Sequence, residues 1–229
     1  MEDEHRYVEH RHPEPGILPE NQIKDYLYDL TKHRNRIYSQ HGEEGSMRRL
    51  LGILGIDTGW CCEFGSDNGV WFSNTYHLIE KGWKGVYIEK CSIAYKELQE
   101  TQKKHPDSLI IFNEAVHFLP EKGVLLDDIL ARTPIPKDFD ILSIDVDGPD
   151  YQIWESLVNY RPKIVLIEAS GLDGWHIHRE DAKRNDPDLT SSFAPLKVLG
   201  ESKGYKLITL MGNVWFLAEE YIVDTEGTK

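Results

Sequence analysis

Residues 60–64 (WCCEF) run into the stretch Glu63-Phe64-Gly65-Ser66-Asp67-Asn68-Gly69, a strand end followed by a glycine-bearing turn. Gly65 lets a backbone turn sharply and approach a ligand with no Cβ in the way. Gly69 falls where the following helix packs or opens, and Ser66 and Asp67 occupy the turn between the two glycines. The carboxylate of Glu63 suits a cationic or amine-bearing ligand better than a pyrophosphate. The spacing also departs from the G-x-G-x-x-G of dinucleotide sites, and a tight strand-to-helix turn would use the same glycines. Glu89 ends the next apolar run, 20 residues after Gly69. An acid there is placed to accept hydrogen bonds from both hydroxyls of a ribose. Asn113 and Glu114 close the third run, where they either flank an adenine or cap the loop.

A second group is acidic. Ile144-Asp145-Val146-Asp147-Gly148-Pro149-Asp150 ends the fourth apolar run, and strand alternation puts Asp145 and Asp147 on one face. The fifth run ends at Glu168, which a parallel neighbouring strand brings close. Carboxylates gathered in this way repel one another unless a proton or cation lies between them. Just beyond comes Gly171-Leu172-Asp173-Gly174-Trp175-His176-Ile177-His178. Acidic oxygens with imidazoles suit Mg²⁺, Mn²⁺ or Fe²⁺, so Asp145, Asp147, Glu168, His176 and His178 form a candidate divalent-metal set. The plainer reading is that Asp147 or Asp150 caps the next helix, that Glu168 meets a cofactor or sugar hydroxyl, and that the histidines belong to an exposed loop.

These residues need elements to position them. Apolar spacing predicts helices over 21–32 and 44–54. From residue 59 strands alternate with helices: strands at 60–64, 85–89, 108–114, 138–147 and 162–170, and helices near 71–81, 92–104, 124–132, 150–159 and 192–203. Residues 205–211 and 213–219 flank Gly212 and Asn213 and read as an antiparallel hairpin. Such alternation implies an α/β chain with a mostly parallel seven-stranded sheet covered by helices on both faces. Five β-α units closed by a C-terminal antiparallel hairpin is the Rossmann-like layout of class I methyltransferases, and a dinucleotide-binding dehydrogenase lacks that ending. Residues 1–58 read as an N-terminal arm and helical lead-in to the same domain, and 59–229 as its core. In such a sheet ligands bind beyond the carboxyl ends of the strands, where the acids above collect.

The ordered set of short pieces resembles the FkbM-like methyltransferases. The pieces are Tyr38-Ser39-Gln40-His41-Gly42-Glu43-Glu44-Gly45, Cys62-Glu63-Phe64-Gly65, Ser73-Asn74-Thr75, the 82–89 stretch GWKGVYIE and Ser143-Ile144-Asp145-Val146-Asp147-Gly148, within about residues 38–217. The resemblance implies S-adenosylmethionine (SAM) as cofactor. It implies that the first-strand glycine loop holds the methionine part, that Glu89 holds the ribose, and that the Ser39-Gln40 lead-in closes over the cofactor, which gives Gln40 a contact. Many members methylate hydroxyls of sugars or natural products, so polysaccharide or capsule biosynthesis follows from the resemblance alone. Asp67 stands where a common methyltransferase motif has a glycine.

A sugar hydroxyl is a poor nucleophile at neutral pH and needs a base in reach or a metal that lowers its pKa. Asp145, Asp147, His176 and His178 are the candidates, and the sequence does not divide them into base and ligand. The expected reaction is O-methylation of a carbohydrate hydroxyl, a nucleotide-linked sugar among the options, because basic residues in the 171–191 loop suit phosphate. Other readings are methylation of a small natural product, phosphoramidate or amine, and a non-catalytic, cofactor-binding regulatory module.

The bulk properties bound these readings. The chain has 229 residues, 40% of them hydrophobic and 28% charged, which suits one sizeable core. No apolar run reaches the roughly 18–20 residues of a membrane span, and the first residues lack the basic start and apolar stretch of a signal peptide. A cytoplasmic protein away from the membrane is expected. Three cysteines, two of them adjacent (Cys61, Cys62), make neither a disulfide framework nor a zinc motif. The net charge of −13 without a Lys/Arg cluster argues against nucleic acid as partner. It leaves a small molecule or sugar as substrate and is compatible with a homo-oligomer.

Overall fold

The computed structural model describes residues 18–19, 30–170 and 191–223. After a two-residue strand β1 (Leu18–Pro19), helix α1 (Glu43–Leu54) leads into strand β2 (Trp60–Phe64). Then follow α2 (Tyr76–Ile79), β3 (Lys84–Ile88), α3 (Ser92–Lys104), β4 (Leu109–Phe112), α4 (Leu126–Leu130), β5 (Ile141–Ile144) and α5 (Asp150–Ser156). Strand β6 (Ile164–Glu168), α6 (Phe193–Ser202), β7 (Tyr205–Met211), β8 (Asn213–Ala218) and β9 (Ile222–Val223) complete the order. Seven strands form one sheet in the order β4-β3-β2-β5-β6-β8-β7, parallel from β4 to β6, with β8 antiparallel to both β6 and β7. The expected architecture is therefore present, hairpin included. The parallel pairing of β1 with β9 had no counterpart in the sequence reading.

Alternation along the strands splits the apolar residues into two cores, one on each face of the sheet. Cys61, Ile141, Ile164 and Trp215 go to the face covered by α1. Their chain neighbours Cys62, Leu142, Val165 and Phe216 go to the opposite face with Ile153 and Trp154 of α5. The adjacent thiols are thus free and buried in different cores. Helix α1 carries Glu43 and Glu44 in its first turn, where the helix dipole favours acids, and stops at Gly55 in a left-handed cap. Of the expected 21–32 helix, 30–32 are helical and the rest lies outside the described residues.

Two expected elements are shorter than the pattern suggested because side chains divert the backbone hydrogen bonds. The helix expected near 71–81 begins only at Tyr76, because 73–75 turn inward onto the buried carboxylate of Glu63. Strand β5 ends at Ile144, because Asp150 captures the backbone N–H groups of Val146 (2.9 Å) and Gly148 (3.0 Å).

The lead-in before α1 is organised by one side chain. The buried Glu44 carboxylate accepts hydrogen bonds from the backbone N–H groups of Ile37 (3.2 Å), Tyr38 and Ser39 (2.7 Å) and from the Ser39 hydroxyl. These bonds outweigh burial and hold its pKa below the usual value. Glu44→Ala leaves three N–H groups without their acceptor, so unfolding in urea should show a loss of about 3 kcal/mol. A loss under about 0.5 kcal/mol would mean that water replaces the carboxylate without cost.

Candidate functional site

Register places the site. Phe64 pairs with Ile88 and with Ile144, and Ile144 pairs with Ile167, so β2, β3, β5 and β6 end at one level. The residues that follow each strand meet along one rim, and the chain reverses its direction across the sheet between β2 and β5, the place where open α/β sheets hold ligands. A cavity of about 450 Å³ opens on this rim, within the usual range for small-molecule sites. Its walls include Gln40, Glu63, Gly65, Ser66, Asp67, Glu89, Glu114, Asp145, Asp147 and Glu168.

The glycine turn clasps the end of β3. The N–H groups of Gly65 and Ser66 and the Ser66 hydroxyl all point to the Ile88 carbonyl. Gly65 has φ +73°, and an added Cβ would lie 1.7 Å from the Asp145 carbonyl oxygen. Its missing side chain thus allows β2 and β5 to converge. Gly69 serves packing too, since a Cβ there would press on Leu98 of α3 at 2.6 Å, and it is not among the residues around the cavity. Glu89 lies at the centre of the turn: Oε2 accepts from the Asp67 N–H (2.8 Å) and Oε1 from the Cys91 N–H (2.6 Å). Each oxygen keeps lone-pair capacity for a further donor, and the cavity lies against it.

Three expected contacts have other partners. Glu63 faces the cavity, yet both oxygens are engaged by Ser73, Asn74 and Thr75, and burial raises its pKa against those bonds. It organises the loop rather than offering a free anion. Glu114 forms a two-pronged ion pair with Arg132 (2.6 and 2.7 Å), which lowers its pKa. Asn113 is exposed, donates to the Glu89 and Lys90 carbonyls, and stands off the cavity wall, which Ala115, Val116 and His117 supply instead.

At the other end, carboxylate oxygens of Asp145, Asp147 and Glu168 lie within 4.8 Å of one another. Strand alternation is not the cause. Both aspartates lie past the end of β5, and Asp147 has φ +53°, a left-handed turn held by the buried Asp150. Burial, then the charges of Glu168, Asp150, Asp147 and Glu63, push the Asp145 pKa up to about 8. Burial with Asp150 and Asp147 raises Glu168 to about 7. Glu168 Oε2 is a buried oxygen without a hydrogen-bond partner among the described residues. His176 and His178 lie outside the described residues.

The sequence reading missed Trp71 and Phe72. Both line the cavity, and both are exposed. Phe72 has φ +59°, which for a bulky residue costs on the order of 1–3 kcal/mol. The signal was available in Asn68, whose side chain accepts from the N–H groups of Val70 and Trp71 (both 3.0 Å) in a local turn that competes with helix.

No family model matches the chain, and no curated protein matches it in sequence. Solved structures match in fold. The chain is similar to the CurJ carbon methyltransferase, with 11% identity, a TM-score of 0.51, and coverage of 86% of this chain and 59% of that one. It is also similar to monomeric WbdD, with 13% identity, a TM-score of 0.47, and coverage of 86% and 41%. A SAM-dependent methyltransferase from Aquifex aeolicus has 12% identity, a TM-score of 0.47, and coverage of 83% and 97%. The chain spans about two fifths of the WbdD chain it matches. The fold is the Rossmann-like class I methyltransferase fold.

The carboxylate cluster gives a pH-dependent expectation. An acid whose folded pKa is raised holds its proton more tightly folded than unfolded. Its contribution favours the fold below pH 3.8 and is lost as pH rises toward 8. Asp145→Asn fixes the neutral form. With chelator present, the Tm of the variant minus that of the native protein should be near zero at about pH 4 and grow positive toward pH 8. A difference that does not change with pH would remove charge crowding as a feature of the site.

Proposed function

We propose that the chain is a SAM-dependent methyltransferase that acts on a hydroxyl of a carbohydrate. The observation that carries the reading is a single cavity with a two-oxygen acceptor, Glu89, at one end and three crowded carboxyls at the other. The fold likeness to CurJ, a carbon methyltransferase by name, is consistent with methyl transfer, and the FkbM-like pieces in the sequence support a hydroxyl as its acceptor.

The donor set fits the cofactor. Glu89 would accept from the ribose hydroxyls with the lone pairs its two backbone donors leave free. The turn 65–67 would lie along the methionine part, and Gln40, on the cavity wall, would close over it. Acidic walls favour a sulfonium and an amine electrostatically. SAM supplies an activated methyl group when bound, so positioning the acceptor accounts for much of the rate. The acceptor hydroxyl must still lose its proton, and the carboxyl groups of Asp145 and Asp147 on the cavity wall are the described candidates to take it. Asp145, Asp147 and Glu168 offer hard oxygen ligands to a divalent cation such as Mg²⁺, Mn²⁺ or Fe²⁺. Holding such an ion, these residues would be relieved of their mutual repulsion, and the ion would supply Lewis-acid chemistry that lowers the pKa of a nearby hydroxyl. The acidity of the chain argues against nucleic acid as the acceptor.

Calorimetry with S-adenosylhomocysteine, the demethylated product, tests the cofactor half. Glu89→Ala should weaken binding by about 1–3 kcal/mol, roughly 5- to 150-fold. Unchanged affinity would remove Glu89 from the ribose, and no binding by the native protein would end the methyltransferase reading. Manganese should raise the Tm of the native protein but not that of Asp147→Ala. Chelation should abolish methyl transfer to sugars while leaving cofactor affinity intact. Full turnover in a metal-stripped sample would assign the proton to a free carboxylate alone.

A further inference from the structure

Trp71 and Phe72 have no part in that scheme, yet they are 68% and 53% exposed at the cavity wall. Their placement is enforced from two segments. Asn68 fixes the turn that carries Trp71. The Phe72 N–H donates to the Tyr38 carbonyl (3.0 Å), and residue 72 bridges Ser39 of the lead-in that Glu44 organises. Backbone strain in a bulky residue clusters at functional sites, and here the strained ring is exposed beside a concave one.

The cavity walls narrow the chemistry of a ligand. A second compartment of about 30 Å³, room for about one water-sized group, adjoins the first and includes His41, Asn74 and Asn213. Gln40, Phe72, Asp145 and Glu168 line both compartments. Phe72 therefore stands at the carboxylate end, whereas Glu89 lines only the larger space. Charge narrows the choice further. Asp67, Glu89, Asp145, Asp147 and Glu168 meet this space, with Glu63 already tied to residues 73–75, while Lys90 and His117 are the basic side chains among its described walls. Glu114 is already paired with Arg132. An anionic acceptor would meet five carboxyl groups against two basic side chains on these walls, whereas a neutral one meets no repulsion.

We propose that Trp71 and Phe72 form an aromatic platform that seats an uncharged, polyhydroxylated ring, with one hydroxyl directed into the small compartment beside Asp145 and Glu168. The inference rests on the methyltransferase reading and narrows its acceptor to neutral sugars, away from phosphorylated or nucleotide-linked ones. The rings cover the C–H face of the sugar, and the polar groups of the compartment select the hydroxyl.

Saturation-transfer NMR with irradiation of the aromatic protons tests this on the full chain with S-adenosylhomocysteine. The probes are the methyl glycosides of glucose, galactose and mannose, and glucose 6-phosphate. Ring C–H signals are expected from at least one glycoside and much weaker ones from the phosphate. They should vanish in a variant with Trp71→Ala and Phe72→Gly, the glycine chosen because φ at residue 72 is positive. Cofactor affinity in that variant should stay within about twofold. Silence from all three glycosides with native protein, equal signals from the phosphate, or signals that survive in the variant would each overturn the platform. So would a loss of about tenfold in cofactor affinity, which would give the rings to the cofactor. Native protein that binds no cofactor fails the methyltransferase reading, and the glycoside arm repeated without cofactor still decides the platform.

Discussion

A carboxylate buried with 5% exposure at the end of the first sheet strand governs the site. Glu63 cannot stay charged there without donors, and it takes them from one short stretch: the hydroxyls of Ser73 and Thr75 and the N–H groups of Asn74 and Thr75. Meeting that demand bends residues 73–75 inward and delays α2. The side chain of Asn74, brought in by the same turn, donates to the Ser143 hydroxyl on β5 (3.0 Å) and ties the loop across the sheet. What lies between Gly65 and Ser73 must then arch over the rim. The exposure of Trp71 and Phe72 follows from the buried carboxylate of Glu63, which draws in the residues immediately after them.

The opposite constraint acts at β5 and β6. Strand register brings Asp145 and Glu168 to one level whatever their charge, and Asp150 spends its own buried carboxylate on holding the turn that brings Asp147 toward them. The fold therefore concentrates negative charge where a compact structure gains least from it. Such crowding is a recurrent mark of functional sites, where stability is given up for reactivity.

The strands were legible because their apolar runs are short, bounded by turn residues and rich in β-branched or aromatic side chains. Residues 60–64 and 205–211 match the structure to the residue. Glu89 was legible from its place at a strand end, since register carries such residues to the rim. Asp145 and Asp147 were grouped by the wrong argument: alternation ceases at Ile144, and a left-handed residue restores the proximity. The roles of Glu63, Gly65 and Gly69 were hidden because each depends on a partner distant in the chain, respectively 73–75, Asp145 and Leu98. The same holds for β1, whose partner β9 lies some two hundred residues on.

The strand order also bears on how the chain is made. Strand β8 lies between β6 and β7, although both precede it in sequence. During synthesis β7 emerges with no strand beside it, and β6 presents an open edge with Val165, Leu166 and Ile167 in their final alternation. An unpaired apolar edge of this kind invites association with other chains. Closure waits for residues 213–218 to leave the ribosome and slot in as the last tooth of a zip. A nascent chain stalled before that point would expose both β6 and β7, and chaperone capture should concentrate in this window of translation.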